Sequence, residues 1–243
     1  MASAVPTLPA LAPGDVVTVA ADLEHAGATE ILRWAVATIP RFAVSSSFGA
    51  DSAVLLHLLA QVDPTVPVLF VDTGFHFPET LAYRRELVAH LGLTDARDLR
   101  PRLGVAQQGR ELGGGLYLRD PDACCALRKV APLDEALTHF DGWATGVRRS
   151  QTSTRAGTAV VGLADKGGRT LLKVSPLARW APDQVARHLD EHDLPRHPLA
   201  ELGVYPSIGC APCTRPVRPG EDVRAGRWAG LTKTECGIHL DRS

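Results

Sequence analysis

The sequence predicts an α/β fold built on a parallel sheet, and two stretches carry that prediction. Arg41-Phe-Ala-Val-Ser-Ser reads as a short buried strand, and Asp51-Ser-Ala-Val-Leu-Leu-His-Leu-Leu after it places apolar residues at helical spacing, with a glycine in between. Val66-Pro-Val-Leu-Phe-Val-Asp repeats the strand. The helix after it is opened by Pro78-Glu79 and runs to about Leu91, proline being well placed in a first helical turn. Two strand–helix units in succession require right-handed crossovers, and therefore parallel strands.

The later elements are read in the same way. A helix is expected from about Cys124 to Leu137, a strand around Trp143-Ala-Thr-Gly, strands at Ala159–Leu163 and Thr170–Val174, and a helix from Pro182 to about His192. From Pro195 onward, prolines and glycines interleave with charges and regular structure is hard to sustain. The expected division is an N-terminal extension over 1–26, an α/β domain over 27–203, and a C-terminal segment over 204–243 that folds over a site or stays mobile. At 243 residues the chain can bury one sizeable core.

Composition narrows the function. The formal charge of −1 argues against the strong phosphate attraction of a duplex-binding protein, and no nucleic-acid partner is expected. A small anion remains a suitable ligand. Arginine outnumbers lysine 22 to 4, and although coding bias accounts for this equally well, the planar guanidinium fork suits phosphate and sulfate. Met1 to Leu11 lacks the pattern of a secretory signal, and no stretch has the ~18 apolar residues of a membrane span. The expectation is a soluble, cytoplasmic protein with no membrane partner. Five cysteines, arranged as an adjacent pair, a C-x-x-C and a single residue, suggest metal or redox chemistry in such a compartment rather than disulfides.

Ser45, Ser46, Ser47, Phe48, Gly49, Asp51 and Ser52 lie at the end of the first strand and open a helix. There backbone N–H groups, hydroxyls and the helix dipole can cradle an anion. The loop lacks the lysine of a Walker A motif, and a plain Ser/Gly-rich turn is the competing reading. Asp72, Thr73 and Gly74 end the second strand at the same sheet edge, where ligands of open α/β sheets bind. Asp72 and Thr73 are candidates for ribose or adenine contact, against an ordinary strand-to-loop turn.

Cys124-Cys125 and Cys210-x-x-Cys213 supply four thiolates in two clips, a set that suits either tetrahedral zinc or an iron–sulfur cubane. Arg148, Arg149, Gln151 and Arg155 form a basic loop after a strand, able to neutralise an anionic substrate, and Arg224 and Arg227 add two guanidinium groups at i, i+3. Cys236, with His239 three residues on, is a nucleophile if a nearby cation lowers its pKa.

Taken together, Cys124-Cys125-x-x-Arg128-Lys129, Gly209-Cys210-x-x-Cys213-Thr-Arg-Pro-Val, Arg224-x-Gly-Arg227-Trp and Glu235-Cys236-Gly-x-His239 resemble the assimilatory sulfonucleotide reductases. The resemblance runs from about Gly27 to Leu240 and is to the bacterial adenosine 5′-phosphosulfate reductases with a [4Fe–4S] cluster. It implies an adenine-nucleotide-hydrolase-like, PP-loop type of α/β fold. In it the Ser45–Ser52 loop, the Asp72–Gly74 turn and the Arg148–Arg155 loop surround the nucleotide, and Arg224 and Arg227 meet the phosphosulfate.

The resemblance also implies that the four paired cysteines hold the cubane, that Lys129 links cluster and substrate, and that Cys236, with Lys129 and His239, is catalytic. The implied reaction yields sulfite and AMP through an S-sulfocysteine on Cys236, with thioredoxin as partner. Family members lacking the clips generally prefer the 3′-phosphorylated nucleotide, so the unphosphorylated substrate is expected here, with a 3′-phosphoadenosine 5′-phosphosulfate or dual-specificity enzyme as the alternative. A homo-oligomer is compatible with the sequence. Ile238 departs from the leucine common before the histidine. The rival readings are an adenylyl-transferring or RNA-thiolating enzyme, which would need ATP and magnesium, and a zinc-stabilised nucleic-acid-binding module, disfavoured by an aromatic content of 5%.

Overall fold

The computed structural model describes residues 13–166 and 168–238. Its six strands are β1 (Phe42–Ser45), β2 (Val68–Val71), β3 (Ala96–Leu99), β4 (Gly142–Thr145), β5 (Val161–Lys166) and β6 (Arg169–Val174). They form one sheet in the order β3-β2-β1-β4-β6-β5, parallel throughout except for the β5–β6 hairpin at one edge. The chain moves from β1 outward to β2 and β3, then returns to lay β4 on the other side of β1. That reversal opens a crevice at the carboxyl ends of β1 and β4, the place where open α/β sheets bind ligands.

Successive strand residues point to opposite faces, and the core divides accordingly. Val44, Val68, Phe70 and Ala144 face α1 (Pro13–Leu23), α2 (Ala28–Thr38), α3 (Ser52–Val62), α4 (Pro78–His90) and α9 (Pro182–Glu191) in one large apolar cluster. Ala43, Leu69 and Trp143 face the other way, onto α8 (Ala131–Leu137) and Ile238 of the C-terminal segment. This second face carries the smaller cluster. Between β3 and α8 the chain forms α5 (Val105–Leu112), α6 (Leu116–Arg119), α7 (Pro121–Cys125) and a π-helical turn (Ala126–Val130), and α10 (Pro198–Glu201) comes after α9.

The expected α/β fold with a parallel sheet is present, with some differences in its elements. The helix expected from Cys124 starts at Pro121, because Asp120 caps it by accepting from the Ala123 N–H at 2.9 Å, and it passes through the π turn before α8. The strand expected at Ala159–Leu163 runs instead over Val161–Lys166, its register fixed by six pairs with β6. Strand β3 is absent from the sequence reading because Ala-Arg-Asp-Leu has no apolar run. It lies at the sheet edge, where its charges suit solvent, and Arg84 meets Asp98 at 2.7 Å.

Residues 204–238 are folded over the carboxyl edge of the sheet. The Val217 N–H donates to the Val204 carbonyl at 2.8 Å, Thr214 and Arg227 bridge as antiparallel partners, and Lys233 pairs with Asp122 of α7.

At Gly142 the sheet has no room for a side chain. A Cβ there would stand 2.8 Å from the Leu172 carbonyl oxygen and 3.2 Å from Ile39 Cδ1. Gly142→Ala is expected to cost about 2 kcal/mol through overpacking, lowering Tm by about 4–8 °C for a domain of this size. A thermal melt within a degree of wild type would refute the close approach.

Candidate active site

The crevice at the β1/β4 switch is a cavity walled by three segments that are distant in sequence. The first is the loop after β1, which contributes Ser45, Ser46, Ser47, Gly49, Asp51 and Ser52. Its shape is set by side chains bonding backbone: Ser46 Oγ accepts from the Phe48 N–H at 3.2 Å, and Ser52 Oγ from the Gly49 N–H at 2.8 Å. Phe48 takes a left-handed conformation, φ 47°, uncommon for a bulky residue. Its ring is fully buried, edge-on to Phe70 at 5.4 Å, which holds it there. Phe48 therefore shapes the loop from below and does not line the cavity.

The second wall comes after β4. Arg148 is buried and meets Asp51 at 2.6 Å, tying this loop to the first, while Gln151 accepts from Arg155 Nη1 at 2.5 Å. The third wall is the C-terminal segment, with Arg224, Arg227, Glu235 and Cys236. Glu235 is buried and grips Arg155 bidentately at 2.8 and 2.7 Å, with Arg224 Nη2 3.5 Å away. Burial pulls the Arg224 pKa below its ordinary range, against the pull of Glu235, and Arg155 and Arg227 add to the lowering. Arg227 donates to Ser207 Oγ at 3.2 Å and stacks over Trp228 at 4.7 Å. Its Nε, like Arg148 Nε, is buried without a hydrogen-bond partner, leaving donor capacity in the cavity wall, while His76 Nδ1, equally unpartnered, is an acceptor because Nε2 donates to the Val71 carbonyl.

Lys129 lines this cavity and a smaller one behind it, whose walls include Cys124, Cys125, Cys210 and Cys213 with Arg128, Phe75, Tyr117 and Trp228. The first clip sits at the end of α7. The second is pinned to the turn after β2: the Ala211 N–H donates to the Phe75 carbonyl at 2.7 Å, and Thr73 Oγ1 lies 3.3 Å from Cys210 Sγ. Burial raises the Cys124 thiol to about 11 and the Cys125 thiol to about 12, and pushes Cys213 upward as well. Burial works against the Lys129 charge, but negative charge on the sulfurs of Cys210, Cys236 and Cys125 outweighs it and holds this lysine above its usual range. Cys236 thus faces the arginine-lined cavity while its four companions line the space behind Lys129.

Asp72, Thr73 and Gly74, grouped with the ligand loop from sequence, do not line the larger cavity. Thr73 is buried against Cys210, and Asp72 pairs with Arg100 at 3.3 Å and caps the turn at the Gly74 N–H. His239 lies outside the described residues.

Two residues without an assigned role in the sequence reading stand out. Arg128 is buried and donates to the Thr73 carbonyl at 2.5 Å and to Gln108 Oε1 at 2.6 Å, locking the first clip to the β2 turn. His76 borders the cavity and bonds the Val71 carbonyl at 2.9 Å. The clip motif contains Arg128, but nothing local announces its partners 55 and 20 residues away.

The phosphoadenosine phosphosulfate reductase domain matches residues 41–216. An adenosine 5′-phosphosulfate reductase of Streptomyces coelicolor is 50% identical over 219 residues, which cover 90% of each chain. A phosphoadenosine 5′-phosphosulfate reductase of Gloeobacter violaceus is 44% identical over 82% of each. Among solved structures, the phosphoadenylyl-sulfate reductase of Candida auris, in a phosphate complex, superposes with a TM-score of 0.73 at 27% identity, covering 85% of this chain and 98% of the other. The expected PP-loop-like nucleotide-binding fold is therefore borne out. A match over most of the chain, at this identity and with this sheet order, shows that the protein belongs to the phosphoadenosine phosphosulfate reductase domain family.

Proposed function

We propose that the chain reduces adenosine 5′-phosphosulfate to sulfite and AMP in sulfate assimilation, with Cys236 as nucleophile. The observation that carries this reading is that Cys236, Lys129 and the guanidinium groups of Arg148, Arg155, Arg224 and Arg227 share one cavity with the Ser45–Ser52 loop. The identity to the Streptomyces reductase supports it.

In this reading the serine loop holds the nucleotide phosphate, and Arg224, Arg227 and Lys129 surround the sulfonate, where charge moves as the bond to phosphate weakens. The Cys236 thiolate attacks sulfur, the sulfur–oxygen bond to phosphate breaks, and AMP leaves with the electron pair. Cys236 is left as S-sulfocysteine. A thioredoxin dithiol then supplies two electrons, its first thiolate displacing sulfite and its second closing the disulfide. The end of the C-terminal segment beyond Trp228, which bears Cys236, has to swing outward for that step, while Cys210 and Cys213 stay in place. Residues 229–238 hold no helix or strand, which suits the motion. A thioredoxin partner and reduced cysteines, both part of this proposal, would suit a cytoplasmic reaction. No described helix is long and apolar enough to cross a membrane.

The donor set behind Lys129 fits a [4Fe–4S] cluster held by Cys124, Cys125, Cys210 and Cys213. All four donors are sulfur, three are buried, and the thiols of Cys124, Cys125 and Cys213 resist ionisation without a metal. The cluster would supply a compact charge beside the sulfonate. Lys129, lining both cavities, is the residue that senses both.

Relatives carry the names of both the plain and the 3′-phosphorylated reductase, so substrate choice is the second reading to be tested. The described cavity wall has no further basic group assigned to a 3′-phosphate. Comparing kcat/KM for the two nucleotides decides it, and the proposal expects a clear preference for the unphosphorylated one.

Cys236→Ser is expected to keep iron and nucleotide binding but to lose sulfite production by about 10⁴-fold or more. Wild type incubated with nucleotide and no thioredoxin gains one sulfonate on the peptide bearing Cys236. An adduct on any other cysteine contradicts the assignment. Cys210→Ser should instead lose iron and activity together, since a hydroxyl is a poor iron ligand, and full iron content in that variant would sink the cluster assignment.

Gly209→Ala probes the arginines. A Cβ there would stand 2.2 Å from Arg227 Nη2, so the guanidinium must leave its place. Losing one charge-assisted contact of about 1.5–3 kcal/mol should raise KM about 10–100-fold, and an unchanged KM would remove Arg227 from the substrate site.

A further inference from the structure

On the face of the sheet away from the cysteines, α3 packs against α9 and brings three imidazoles together. His57 lies midway along α3. His188 is in the last turn of α9 and His192 ends it, four residues on, so both look out from one side of that helix. One ring nitrogen from each falls within 4.8 Å of the others. His57 Nδ1 and His188 Nε2 are 3.0 Å apart, and the rings of His192 and His188 are centred 4.3 Å from each other.

Two imidazole nitrogens bound about 2.05 Å from one ion stand about 2.9–3.3 Å apart for angles between about 90° and 109°. The observed separation lies within that span. We propose that His57, His188 and His192 form a binding site for a divalent d-block cation such as zinc, which clasps α3 to α9. Imidazole is a favoured ligand for such ions, and a three-histidine set leaves one position for water.

The surroundings suit this role. His188 is largely buried and packs edge-on against Trp180, which fixes its ring, while His192 is exposed and gives the ion a path in. The Gln61 amide lies 3.2 Å from His57 Nε2. The near atom is the amide nitrogen, and a metal on His57 Nδ1 requires this amide to turn so that its oxygen accepts the Nε2 proton, as partners of metal-bound histidines do. Because α3 begins at Ser52, the clasp bears on the helix that carries the serine loop.

Zinc titration by equilibrium dialysis tests the site, using holoenzyme with all five cysteines intact, against His192→Ala and His57→Gln. Since both variants keep the thiols, any difference in stoichiometry reports the histidines. Wild type should bind one equivalent more than either variant. Its Tm should rise by about 5–10 °C at a hundredfold excess over the dissociation constant, with no such rise in the variants. Exposed His192 is expected to be replaceable without changing Tm in the absence of zinc, which keeps the comparison valid if His57→Gln is itself unstable. Equal stoichiometry in wild type and His192→Ala, or a sulfur-containing shell around the extra zinc by X-ray absorption, would overturn the proposal and leave the trio a histidine hydrogen-bond cluster.

Discussion

A concentration of positive charge around one crevice governs how this protein is put together. Lys129, Arg148, Arg155, Arg224 and Arg227 line a single cavity, and like charges drawn out of water repel unless anions are held among them. Asp51 meets Arg148, and Glu235 meets Arg155 and Arg224, so two carboxylates offset part of that charge in the protein itself. Because Glu235 precedes Cys236 in the chain, the ion pair that neutralises Arg155 also brings the fifth cysteine to the cavity. Charge balance and delivery of the nucleophile are thus one interaction.

The cysteine side of the site obeys a related logic. Four thiols are enclosed by Phe75, Tyr117 and Trp228, and burial leaves those of Cys124, Cys125 and Cys213 poorly placed to ionise by themselves. Arg128, Lys129 and Lys233 stand close by, ready to offset the negative charge that metal-bound thiolates bring. The π turn at Ala126–Val130 matters for this arrangement. Inserting one extra residue into the turn rotates the side chains beyond it relative to a regular helix, and here Arg128 reaches the β2 turn while Lys129 faces both cavities. A residue pair adjacent in sequence is thereby split between fastening the clip and meeting the ligand.

The two faces of the sheet divide these duties. The face covered by α1, α2, α3, α4 and α9 carries the larger apolar cluster and keeps the strands in register. The opposite face is covered by α8 and by Ile238 of the C-terminal segment. A mobile step at the active site is easier to accommodate beside the smaller cluster, since less apolar surface is uncovered when the segment lifts.

The features legible along the chain were local ones. Short apolar runs marked β1, β2, β4 and β6, proline at first helical turns marked α4 and α9, and the Ser/Gly stretch marked the loop after β1. The resemblance of four short motifs pointed to the family. Which groups meet was settled only on folding. Phe48 went beneath its loop instead of into the cavity, Thr73 went to Cys210 instead of the ligand side, and Arg128 and His76 gained partners that no spacing announced. Strand β3 was illegible because edge pairing, not apolar periodicity, makes Ala-Arg-Asp-Leu extended. The cause is the same in each case: periodicity and capping act within a few residues, whereas crossovers between parallel strands bring together groups dozens of residues apart, and only the folded sheet order fixes which ones.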